Sequence, residues 1–154
     1  MNMVEEMVQL SDDELLRYAR QVLLDGWDMD AQLRLKTARV VIIGAGGLGC
    51  PASETLVRAG IGYVHLIDDD EIEASNLQRQ TLFLPEDIGE SKALTAAAIL
   101  ARINPLIKTR GTVARLDEDN AYALLDMAAG KPDLLLDCTD NFATRDIINR
   151  ISVR

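Results

Sequence analysis

Cysteine and histidine are scarce in this 154-residue chain: Cys50, Cys138 and a single histidine, His65. No C-x-x-C pair occurs, so no zinc site is expected within these residues. Two isolated thiols fit a reduced, cytoplasmic protein better than a disulfide scaffold. No apolar run approaches the roughly 20 residues of a membrane-spanning helix. Positive charge is also in deficit, with 16 Lys and Arg against 25 Asp and Glu and a formal charge of −9. A nucleic-acid binder would carry the opposite bias, so neither nucleic acid nor membrane is expected as a partner. The acidic start "MNMVEEMVQLSDDE" has neither the basic nor the apolar region of a secretory signal. Repeats and low-complexity stretches are missing too, and the length is that of one domain.

What is present is an alternation of helices and strands. Ser11 and Glu14 have capping-box spacing at the start of a helix expected over residues 11–24, with Leu15, Tyr18, Ala19 and Val22 on one face. A short helix over 30–38 follows, then a strand over 39–44 and a helix striped by Leu48, Ala52, Leu56 and Ala59 that Gly60 should stop. Next come a strand over 63–68, a loop to about Gly89, and a helix over 90–103 ended by Asn104-Pro105. Strands over 107–113 and 133–138 and helices over 119–128 and 142–153 complete the pattern. Such alternation gives parallel βαβ units with right-handed crossovers. The expected fold is α/β: a Rossmann-like, doubly wound, mainly parallel sheet over residues 37–154, behind a helical arm over residues 1–36.

The stretch "VVIIGAGGLGCPASETL" carries the first chemistry. Gly44, Gly46 and Gly49 satisfy G-x-G-x-x-G, and Gly47 adds a fourth glycine. The first glycine allows the tight turn, the second lets backbone approach a phosphate, and the third lets helix pack on strand. Alone the pattern is weak; here it sits between a strand and a helix, and Asp68 ends the next strand where an acid meets ribose hydroxyls. This leaves NAD and ATP open. The acid-rich run Asp68, Asp69, Asp70, Glu71 and Glu73 would repel a triphosphate unless cations intervene. Arg79 and Lys92 can supply them. Lys92 falls in the first turn of its helix, where the macrodipole disfavours a cation unless an anion binds; the alternative is a lysine extended into solvent. "DCTDN" brings Asp137 and Asp140 to the same sheet edge, where a carboxylate could hold Mg²⁺. Either Asp140 or Asn141 could instead cap the last helix. His65 lies inside a strand and reads as structural, and both cysteines read as packing residues.

The segments "LLRYARQVLL", "GAGGLG", "LIDDD", "SNLQRQ", "GESKA" and "DCTDNFATR" together resemble the MoeB/ThiF adenylyltransferases, relatives of the ubiquitin-activating enzymes, in order from Leu10 onward. That family activates the C-terminal glycine carboxylate of a ubiquitin-like sulfur-carrier protein ending in Gly-Gly, using ATP and Mg²⁺, for molybdopterin or thiamin biosynthesis. The resemblance implies that Gly44, Gly46, Gly47 and Gly49 form the nucleotide-binding turn, with Asp68 on the ribose and Asp70 nearby. It places Ser75, Asn76, Leu77, Gln78 and Arg79 along the nucleotide, with Asn76, Arg79 and Lys92 on the phosphates. Asp140, next to Asn141, becomes the Mg²⁺-associated carboxylate. Arg20 would reach into the partner subunit of a homodimer, completing a catalytic set of Arg20, Arg79, Lys92 and Asp140. Zinc is expected for the family, but its ligands are absent from this chain.

Family chains continue past residue 154, so these residues are expected to be an incomplete version, poorly active alone and with an open sheet edge. Two other readings remain. An NAD-dependent oxidoreductase needs only the glycine turn and Asp68, leaving Arg79 and Lys92 without a role. A non-catalytic half of an activating enzyme need not keep Arg20, Arg79, Lys92 and Asp140 together.

Overall fold

The computed structural model describes residues 9–125 and 130–153. Four strands form one sheet in the order β3–β2–β1–β4, with every neighbouring pair parallel. They are β1 (Arg39–Ile43), β2 (Tyr63–Ile67), β3 (Lys108–Thr112) and β4 (Leu134–Asp137). Val41 sits between His65 of β2 and Leu135 of β4 in register. β1 is covered on both faces, which is why it reads as an unbroken apolar run.

Successive side chains leave opposite faces of the sheet. Val40, Ile42, Val64 and Leu66 pack with Val57 of α3 (Gly49–Ala59) and with Leu100 of α4 (Lys92–Ile103). Val41, Ile43 and Ile67 enter a second core with Leu125, beside α5 (Ala121–Leu124), and Ile148 of α6 (Phe142–Ser152). The chain runs outward from β1 to β2 and β3, then returns to β4 on the other side of β1. That reversal opens a crevice at the carboxyl ends of β1 and β4, where open α/β sheets bind ligands.

The arm departs from the periodicity of its sequence. The capping box forms as expected: Ser11 Oγ accepts from the Glu14 N–H, and Glu14 Oε2 accepts from the Ser11 N–H. The first helix, α1 (Asp12–Tyr18), stops well short of residue 24. Side chains at and after this stop bond to distant parts of the chain. The Tyr18 hydroxyl accepts from buried Asn104 Nδ2 at 2.9 Å, and Gln21 Nε2 donates to Gln32 Oε1 and to the Ala59 carbonyl. Arg20 thus lies in the turn after α1, not on the helix. Gln32, on α2 (Met29–Thr37), is fully buried and fastens the arm to the end of α3 through Ala59.

Gly60 ends α3 with φ +94°, as a left-handed C-terminal stop should. The loop expected over 69–89 contains two single 3₁₀ turns, Ala74–Asn76 and Pro85–Asp87. Of the helix expected over 119–128, residues 121–124 are helical, and 126–128 lie outside the described residues. Among the described residues no helix is long and apolar enough to cross a membrane.

Candidate functional site

A cleft of about 840 Å³ occupies the carboxyl ends of the strands. Its floor is the glycine turn. Gly44 has φ +96°, and a Cβ there would lie 2.7 Å from the Cys138 carbonyl oxygen, so only glycine fits between β1 and β4. Gly46 and Gly47 face the cleft. Gly49 does not line it; a Cβ there would lie 1.9 Å from the Gly44 carbonyl oxygen, so the third glycine serves close packing of α3 on the turn. No side chain caps α3, and its first turn carries no acid. Within the helix Cys50 donates to the Gly46 carbonyl at 2.9 Å and Pro51 has no N–H, so an anion would meet the backbone of the preceding glycine turn with the positive end of α3 behind it.

Asp68 closes one side. Its Oδ2 accepts from the Ala45 N–H at 2.7 Å and its Oδ1 from the Asp70 N–H at 2.8 Å. Burial raises its pKa, and those two N–H groups oppose the shift without cancelling it. The Asp68, Asp69 and Asp70 carboxylates approach within 4.8 Å of one another, an acidic group that does not include Asp140.

Lys92 is the first residue of α4 and only 6% exposed, which rules out the solvent-extended alternative. Its Nζ lies 2.8 Å from Asp70 Oδ2, on a carboxylate that itself stays largely exposed. A buried ammonium at a helix N-terminus, balanced by one solvated acid, retains attraction for a second anion. Arg79 lines the same cleft, with its Nη1 3.4 Å from the Ser75 carbonyl.

The β4–α6 turn forms the opposite wall. Asn141 is the N-cap of α6, its Oδ1 accepting from the Thr144 N–H at 2.8 Å. Asp140 is exposed and, among the described residues, has no hydrogen bond or ion pair. Arg145 Nη2 donates to the Thr139 carbonyl at 2.7 Å and its Nε lies 3.6 Å from Asp137 Oδ2, bracing the turn.

The fold therefore gathers Gly44, Gly46, Gly47, Asp68, Asp70, Asn76, Arg79, Lys92, Asp140 and Asn141 around one cleft. Ser75, Leu77, Gln78, Gly49 and Arg20 do not line it. The Asn76 side chain is engaged locally, its Oδ1 accepting from the Glu73 N–H at 3.3 Å. Sequence reasoning passed over Gln80, Arg115 and Arg145, all of which line the cleft. Arg115 follows β3, so the rule that ligands meet the carboxyl edge of a parallel sheet could have found it.

Of the remaining chemistry-bearing side chains, His65 and Cys50 are buried, while Cys138 is half-buried and lines the cleft. Burial pushes the Cys50 thiol up to about 11, and its Sγ donates to the Ala45 carbonyl. Burial, with Asp137 beside it, also raises Cys138. His65 is fully buried, its Nε2 2.8 Å from Thr112 Oγ1.

Residues 18–154 match the ThiF family profile. The molybdopterin-synthase adenylyltransferase of Salmonella typhimurium is 48% identical over 143 residues, covering 93% of this chain and 56% of the relative. The sulfur carrier protein ThiS adenylyltransferase of Escherichia coli is 44% identical over 144 residues, covering 94% of this chain and 56% of its own length. The chain thus spans little more than half the length of these relatives. In structure it resembles the E. coli tRNA N6-threonylcarbamoyladenosine dehydratase TcdA solved in complex with ATP. That match has a TM-score of 0.83 and 25% identity over 94% of this chain and 59% of the other.

Proposed function

The chain belongs to the ThiF family, and from that premise we propose that it activates the C-terminal glycine carboxylate of a ubiquitin-like sulfur-carrier protein ending in Gly-Gly. The reaction uses ATP and takes place in the cytoplasm, in molybdopterin or thiamin biosynthesis. The observation that carries this reading is buried Lys92 facing the same cleft as Arg79 and the uncapped start of α3. A hydride-transfer enzyme needs no such concentration of anion-binding groups.

The chemistry follows from the residues. The carrier carboxylate attacks the α-phosphorus, a carboxylate–phosphate anhydride forms, and pyrophosphate leaves. The substrate is already an anion, so no side chain need remove a proton, in keeping with the burial of His65 and Cys50. The glycine turn, backed by the positive end of α3, holds phosphate. Asp68 has lone pairs beyond its two backbone partners and accepts from ribose hydroxyls. Arg79 and Lys92 neutralise charge that grows on the phosphate oxygens, where preorganised cations are most effective. Asp140, without a partner among the described residues, would hold Mg²⁺, which screens the phosphates when bound. Arg20 lies away from the cleft of its own chain, and in a homodimer it would serve the second copy. Zinc is assigned no step, since no ligands for it are among these residues.

The reading is tested first by calorimetric titration of the chain with Mg-ATP and with NAD. Mg-ATP alone should bind; binding of NAD alone would overturn the proposal. The transfer step is tested by carrier-dependent ATP–pyrophosphate exchange. Lys92→Met should lower the exchange rate by about 100-fold or more, as loss of one preorganised charge-stabilising group does.

A further inference from the structure

Gln80 is 2% exposed and lines the cleft, yet it belongs to none of the interactions described above. Its backbone is fixed by an N–H donated to the Asn76 carbonyl at 3.0 Å, at the end of the turn that also presents Arg79. Its side-chain amide is not fixed by anything polar. The Oε1 atom is buried without a hydrogen-bond partner, and the Nε2 atom has none among the described residues either. Nε2 points at the glycine turn, 3.6 Å from where a Cβ on Gly46 would sit. Gly46 is the residue at which this turn lets backbone approach a phosphate.

An unpaired buried amide is costly, and folded proteins pair nearly all such groups. A methionine or leucine would fill the same space without that cost, so the amide is not explained by packing. What it offers is two N–H donors, beside the phosphate-binding turn and on the same short segment as a cationic arginine. Half a turn about its last torsion exchanges nitrogen and oxygen without losing any hydrogen bond, so the donors can be presented on either side.

We propose that Gln80 is a further phosphate-positioning residue: its amide NH₂ donates to a phosphate oxygen of the nucleotide held at the Gly44–Gly47 turn. This rests on the proposed function for the identity of that nucleotide as ATP. The amide carries no charge, so it adds direction to the electrostatic attraction of Arg79 and Lys92. Gln80 would fix which oxygen of the chain faces the turn and thereby where the α-phosphorus stands for the incoming carboxylate.

The test is Gln80→Met, nearly the same shape without donor or acceptor, read by the Kd for Mg-ATP and by the melting temperature of the ligand-free chain. Affinity should weaken about 10-fold, as loss of a hydrogen bond to a charged group does, while the free chain melts at the same temperature or higher. The two readouts separate the roles, because a structural glutamine would lower the melting temperature and leave the Kd alone. Gln80→Glu keeps the length but sets a carboxylate against phosphate, and it should bind more weakly than the methionine variant. Unchanged affinity in Gln80→Met, or Gln80→Glu binding as well as the parent, overturns the assignment. Failure of the parent itself to bind Mg-ATP overturns the proposed function and this assignment with it. A binding parent matched by Gln80→Met overturns this assignment alone.

Discussion

The Asp68 carboxylate ties the glycine turn to the end of β2: Oδ2 accepts from the Ala45 N–H at 2.7 Å and Oδ1 from the Asp70 N–H at 2.8 Å. The residue expected to meet a ribose therefore also shapes the floor on which the phosphates rest. Both oxygens are oriented by backbone before any ligand arrives, the kind of preorganisation a binding site gains from.

Asp68→Asn should separate these roles. The amide has one oxygen for two N–H groups, but it also removes a carboxylate whose ionised form burial penalises. These effects oppose, so stability at neutral pH should change by no more than about 1 kcal/mol, while Mg-ATP affinity falls at least about 10-fold. The pH dependence has a definite sign. Asp68 has a raised pKa, so the folded state holds its proton more tightly than the unfolded chain. Relative to the variant, the parent should gain stability as pH falls through the Asp68 pKa. Urea titrations at several pH values would show it, and a parent that loses ground to the variant in acid would contradict it.

Glu14 should behave in the opposite way. Burial alone would raise its pKa, but Lys36 Nζ at 2.7 Å and the Ser11 N–H and hydroxyl outweigh burial and hold it below the ordinary glutamate range. Its stabilising contribution is therefore complete above the unfolded-state pKa and lost as pH falls through the lower folded-state value. Glu14→Gln should be less stable than the parent at pH 7, with the gap closing as pH falls through the lowered folded-state pKa. The only tryptophan, Trp27, donates from its ring to Gln32 in the arm and gives a fluorescence readout.

The glycines of the turn should divide by what surrounds them. A Cβ at Gly49 meets the Gly44 backbone oxygen at 1.9 Å, and backbone cannot step aside. Gly49→Ala should cost about 3 kcal/mol or more. The nearest atoms to a Cβ at Gly47 belong to the flexible Arg79 side chain, at 3.4 Å. Gly47→Ala should fold with little loss and weaken Mg-ATP binding by displacing Arg79. Equal melting temperatures for the two variants would refute this division.

These contrasts also mark what could be read before folding. The β1–turn–α3 unit, the Ser11–Glu14 box and the Gly60 stop are local: each depends on residues a few positions apart, so spacing reveals them. The stop after Tyr18 is not visible in the spacing, which keeps an apolar stripe to Val22, while the Tyr18 hydroxyl is held by Asn104, 86 residues away. The burial of Lys92 is likewise hidden, since spacing places it in a first turn but says nothing of Asp70 folding back at 2.8 Å. Arg145 reaches the cleft only because the sheet order returns β4 to the side of β1 opposite β2, whereas Arg115 needs no more than its place at the carboxyl end of β3.

The "TDN" segment left two adjacent residues competing for one cap, and the structure divides the labour. Asn141 accepts from the Thr144 N–H, while Asp140 is left exposed without a protein partner among the described residues. A lost N-cap costs about 1 kcal/mol, so Asn141→Ala should lower stability by that much. It should reduce Mg-ATP binding only as far as the start of α6 loosens. Asp140→Asn should leave the melting temperature within error of the parent, because it removes no bond made among the described residues. If Asp140 holds Mg²⁺ against the phosphates, that variant should require more Mg²⁺ to reach the same ATP affinity. Two titrations of ATP binding against Mg²⁺ concentration, parent and Asp140→Asn, would reveal the displacement. Superimposed curves would remove the metal role from Asp140 and turn attention to the Asp68–Asp70 group.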